Sequence, residues 1–136
     1  MLFFQKPFVT IHFEEQFNLA RVKWSRFENS YEYREGLSQA LALGKLKAPQ
    51  NWILDLRELS AIRLNDQNWT VTHFLPQFHA MVMGGKLAII LSEDFYSNAS
   101  IGNIARGMQP LENVSARYFN DEESAMAWFA SMAELQ

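Results

Sequence analysis

Apolar and polar residues alternate over Val9-Thr10-Ile11-His12-Phe13-Glu14 and again over Ala20-Arg21-Val22-Lys23-Trp24. A period of two sends successive side chains to opposite faces of a strand, so both segments read as strands with one buried face. The short polar turn around Glu15-Gln16 joins them as an antiparallel hairpin. Val9, Ile11, Phe13, Ala20, Val22 and Trp24 then face the core. Thr10, His12, Glu14, Arg21 and Lys23 face outward, where opposite charges can pair across the strands.

The spacing next becomes helical. Ser30 is a favourable N-cap, Gly44 is the residue favoured just past a helix, and Tyr33, Leu37, Ala40 and Leu41 form one buried stripe between them. Pro49 closes the connection. Trp52-Ile53-Leu54-Asp55-Leu56-Arg57 reads as a third strand. Leu87-Ala88-Ile89-Ile90-Leu91, apolar throughout, reads as a central strand covered on both faces. Ala116-Arg117-Tyr118-Phe119 forms a last short strand. A C-terminal helix follows, with Asn120 and Glu123 as a capping pair and Ala125, Trp128, Phe129 and Met132 as its buried stripe.

Between the third and fourth strands the pattern predicts a helix capped by Asn65 and running to about Met83, kinked where Pro76 removes a backbone bond. Val71, Phe74, Leu75, Phe78 and Val82 belong on the sheet. Trp69, His73, Pro76 and Ala80 make a second stripe on nearly the opposite face. A further helical segment covers roughly Asp94 to Ala105. The order ββαβαβαβα implies the α/β class, with a mixed five-stranded sheet and parallel crossovers in a single domain, 1–136.

Composition narrows the functional classes. A chain of 136 residues, 49% apolar and 20% charged, suits one hydrophobic core. The aromatic share of 14% is high enough to suggest rings left over for a partner surface. Without cysteine there are no disulfides, no thiolate chemistry and no cysteine-based zinc site. A net charge of −3 with scattered Lys and Arg argues against nucleic acid. No stretch approaches the roughly 20 apolar residues of a membrane span, and Met1 to Pro7 does not read as a signal peptide, so a cytoplasmic location is expected.

The element order, with Trp52-Ile53-Leu54-Asp55 on a strand and the closing Phe119-x-Asp121-x-x-x-Ala125-x-x-Trp128-Phe129, resembles the SpoIIAA-like or STAS superfamily of small regulatory domains related to anti-sigma-factor antagonists. The likeness covers nearly the whole chain as a pattern of elements. It implies a non-enzymatic binding or regulatory domain, one that could also accommodate an apolar ligand as some relatives do. One branch of that superfamily opens the helix after the third strand with a phosphorylatable serine. The matching stretch here, Arg63-Leu64-Asn65-Asp66-Gln67-Asn68, has no hydroxyl, and Ser60 lies too early to replace it. The phosphoswitch is therefore not carried over.

The remaining chemistry is sparse. Asp55, Arg57, Asn65, Asp66, Ser92, Glu93 and Asp94 are expected to gather at the carboxyl ends of the third and fourth strands, where open α/β sheets place ligands. The alternative is an Asp55–Arg57 pairing, with Asn65 and Ser92 or Asp94 as helix caps. Gly84-Gly85-Lys86 lacks the earlier glycine and the hydroxyl of a phosphate loop and reads as a turn. His12, His73 and His79 do not have metal-ligand spacing. No metal or cofactor is expected. The stripe of Trp69, His73 and Pro76 packs either on a neighbouring part of the chain or on another protein. The interface is the reading taken, with a homodimer as its simplest form. The expectation is a non-enzymatic regulatory or interaction domain. One alternative is a carrier or sensor of a small, lipid-like apolar ligand held between helices and sheet. A second is a small enzyme with a polar site near Asp55 and Asp94.

Overall fold

The computed structural model describes residues 1–92, 95–106 and 114–134, except the side chains of 95–98, 105, 106 and 132–134. Its centre is one mixed sheet of six strands: β1 (Leu2–Lys6), β2 (Val9–Glu14), β3 (Leu19–Trp24), β4 (Asn51–Asp55), β5 (Lys86–Ile90) and β6 (Ser115–Phe119), side by side in chain order. β1, β2 and β3 pair antiparallel, and β3 to β6 run parallel. The α/β class and the mixed sheet are as the sequence predicts, but the five-strand count falls one short. β1 escapes the alternation test because it is a half-exposed edge strand. Its apolar run, Leu2-Phe3-Phe4, never alternates before Gln5 and Lys6.

The sheet has two covered faces. Val9, Ile11, Phe13, Ala20, Val22 and Trp24 are all buried, as their period of two requires. In register with them, Trp52, Leu54, Leu87 and Ile89 extend the same face across the parallel strands. Helix α1 (Ser30–Lys47), the helical segment between β4 and β5, and α4 (Phe95–Arg106) pack on it. The opposite face presents Leu19, Ile53, Ala88 and Ile90 to α5 (Glu122–Glu134), which buries Ala125 and Trp128 against them. β5 thus contributes apolar residues to both cores, which is why it lacks alternation.

The helix ends differ from the sequence reading by a residue or more. Asn29, not Ser30, caps α1 by accepting the Glu32 N–H at 2.9 Å. The helix also passes through Gly44 to Lys47, and Ala48 takes the left-handed closing position at φ 45°. Gly44 lies inside the helix against the end of the Met81 side chain, which would have to shift to admit a Cβ there. Asp121, not Asn120, caps α5 by accepting the Ser124 N–H at 2.7 Å. The Met132 side chain lies outside those described.

The segment between β4 and β5 is helical in three parts: α2 (Leu64–Trp69), a π turn (Thr70–Phe74) and α3 (Leu75–Val82). Pro76 cannot donate to Thr72, so the α-helical ladder is interrupted there in any case. The chain absorbs the interruption as a π turn, in which the Leu75 N–H reaches the Thr70 carbonyl. Asp66, Thr70, Phe74, Phe78 and Val82 are all buried, at a strict spacing of four. Along a regular α-helix that spacing would rotate the face by about 160° over sixteen residues, and the extra residue of a π turn takes back about 100°.

Candidate ligand-binding site

The three helical segments do not fill the space above the sheet. A cavity of about 170 Å³ lies between the strands, α1, the π turn and α4. Its floor is Val22, Leu54, Leu87 and Ile89. Leu37 and Ala40 of α1, Phe74 and Phe78, and Ile101 and Ile104 of α4 form its walls. The cavity reaches Ala116 and Tyr118 of β6, and Tyr118 is 57% exposed, so that end borders solvent. Among the described residues lining it, only Trp24, Tyr33, Thr70 and Tyr118 carry a polar side-chain atom, and none carries a full charge at neutral pH.

Tyr33 and Thr70 form a buried pair whose oxygens are 2.7 Å apart. Thr70 Oγ1 also donates back to the Asp66 carbonyl at 2.7 Å, the local bond a threonine makes to the residue four before it. Burial pushes the Tyr33 hydroxyl far above the ordinary phenol range, and the Asp66 charge adds to that. The Thr70 hydrogen bond and Arg34 offset only part of the rise.

Beneath the pair, the fully buried Asp66 carboxylate ties α2 to the start of α1. It accepts from Arg34 Nε at 3.0 Å and from Ser30 Oγ at 2.7 Å. The guanidinium of Arg34 also lies over the Trp69 ring at 5.1 Å, and Trp69 stacks on His73 at 5.9 Å. Trp69 is consequently half-buried within its own chain, and it is α1 that covers it. His73 and Pro76 are exposed.

The polar residues expected at the strand ends do not all converge. Arg57 donates to both carboxylate oxygens of Asp55, at 3.0 and 2.7 Å, and its backbone N–H adds a third bond. Burial alone would raise the Asp55 carboxyl, but the Arg57 bonds and charge, with Lys23, hold it below the ordinary carboxylate range. Asp55 and Arg57 face the α5 side of the sheet. There they border a polar hollow of about 230 Å³ together with His12, Arg21, Lys23 and Glu122. Arg21 is ion-paired with Glu122, and its Nε lies 3.1 Å from Glu14 without hydrogen-bonding alignment.

Asp66 turns away from this group to meet Arg34. Asn65 is exposed in the first turn of α2 and caps nothing, because Arg63 occupies the N-cap position without a side-chain bond. Ser92 is half-buried just past β5, while Glu93 and Asp94 lie outside the described residues. A further hollow of about 350 Å³ sits at the other end of α5, among Phe17, Met126 and Phe129.

Sequence reasoning did not single out Tyr33 or Thr70 as site residues. Tyr33 was legible only as one member of a core stripe, and Thr70 only as part of a helix. No family model matches the chain, and neither a curated protein nor a solved structure matches it.

Proposed function

We propose that this chain is a ligand-binding domain that acts by binding, not by catalysis, and holds a compact apolar molecule between its sheet and the helices above it. The observation that carries this reading is the 170 Å³ cavity. An apolar hollow of this kind forgoes van der Waals contacts along its walls, and an apolar ligand would supply them. The described lining residues supply neither a nucleophile with a base beside it nor separated carboxylates, so binding suits them better than chemistry.

The binding role agrees with what the resemblance to SpoIIAA-like domains implies, but the size limits the occupant. A cavity of about 150 Å³ accommodates a benzene molecule, so the buried body of the ligand is of about one-ring size. Self-association through Trp69, His73 and Pro76 is not part of this reading, because Arg34 and His73 already cover Trp69.

Scanning calorimetry with benzene tests the proposal. Benzene at saturating concentration is expected to raise Tm in a dose-dependent manner, as ligands of the native state do. An unchanged Tm across its soluble range would refute the reading.

A further inference from the structure

The hydroxyl pair in the cavity wall has an accountable set of protons. Thr70 owns one hydroxyl hydrogen, and the 2.7 Å contact with the Asp66 carbonyl requires it. The 2.7 Å contact between Thr70 Oγ1 and the Tyr33 oxygen must then be made by the Tyr33 hydrogen. Tyr33 is therefore the donor in that bond, and among the described residues none donates to its oxygen. In a mostly apolar lining, the Tyr33 oxygen keeps a lone pair able to accept one more hydrogen bond.

Resting on the cavity reading above, we infer that the ligand is an uncharged molecule of one-ring size that carries a hydroxyl and donates its hydrogen to the Tyr33 phenol oxygen. Three features select this class. Size limits the apolar body to about that of benzene. The free acceptor favours a ligand with one donor. Charge selects against an anion, because the described lining residues offer no cation and a carboxylate taken out of water without one is strongly disfavoured. Tyr33 itself stays protonated, since burial and Asp66 both oppose its ionisation. It can thus keep donating to Thr70 while accepting from the ligand.

Calorimetric titration with benzene, phenol and benzoate tests this. The parent protein is expected to bind phenol at least as tightly as benzene and benzoate at least tenfold more weakly. The double variant Tyr33→Phe/Thr70→Val removes both hydroxyls and leaves neither stranded, and its readout is the affinity of phenol relative to that of benzene. Phenol should then fall about tenfold below benzene, because its hydroxyl would be buried without an acceptor.

Benzene binding in the parent with phenol tenfold weaker would overturn the hydroxyl inference and leave the cavity reading intact. A phenol preference that survives in the double variant would also overturn it, by moving the acceptor elsewhere. So would benzoate as the tightest ligand. Failure of both benzene and phenol to bind the parent would overturn the cavity reading itself. Should the double variant not fold, the order of the three ligands on the parent decides the matter.

Discussion

Tyr33 contributes its ring to an aromatic cluster and its hydroxyl to the cavity wall. The ring stacks on Trp24 at 5.7 Å and tilts against Phe27 at 5.2 Å, while the hydroxyl spends its proton on Thr70. Because burial raises its pKa, the folded protein keeps a proton that the unfolded chain would release near pH 10. The stabilisation linked to this group is complete below that pH and is lost progressively as pH rises above it. An absorbance titration of tyrosinate is expected to contain a late step that coincides with alkaline unfolding and is missing in Tyr33→Phe. The same titration with no difference between parent and variant would contradict the buried hydrogen bond. None of this was legible from residue type, since a tyrosine in an apolar stripe gives no sign of where its hydroxyl points. Asp66 was legible as a candidate, but its partner Arg34 lies 32 positions away on α1, a distance that only the fold closes.

Among the elements, α5 is held mainly by Trp128, which packs with Phe119 at 5.6 Å and Phe129 at 5.2 Å and lies beneath the guanidinium of Arg117. Trp128→Ala is expected to destabilise the protein by about 3–5 kcal/mol, the usual cost of truncating a buried large aromatic. An unchanged denaturation midpoint in urea would show that α5 is not anchored there. The stripes of α1 and α5 and the strands β2 and β3 were readable because burial imposes a period of 3.6 or 2 on the residues that face it, and β5 was readable as an unbroken apolar run. Helix ends were read less well: Asn29 and Ser30, or Asn120 and Asp121, are adjacent residues with similar capping ability, and the backbone decides between them. The π turn was not foreseen, although its trace is in the chain. Asp66, Thr70, Phe74, Phe78 and Val82 recur every four residues, a spacing slower than an α-helix, directly before and across Pro76.

At the scale of the whole molecule, the cavity follows from how the layers are distributed. One face of the sheet meets a single helix, α5, which buries Ala125 and Trp128 and leaves a hollow at each of its ends. The other face must be covered by α1, the π turn with its flanking helices, and α4, and the junction of these three is where packing is incomplete. Ala40 sits in that junction on α1, buried and facing the void. Filling the space from this position should stabilise the fold by about 1–2 kcal/mol, as cavity-filling substitutions commonly do, at the expense of any ligand.

The most direct test of the central claim is a nitrogen–proton NMR titration of the parent and of Ala40→Leu with benzene. The parent is expected to give saturable shifts centred on residues 33, 37, 70, 74 and 101, and the folded Ala40→Leu variant is expected to give none. Shifts that never saturate, that centre on another part of the chain, or that persist unchanged in Ala40→Leu would contradict a binding site between the sheet and its helices.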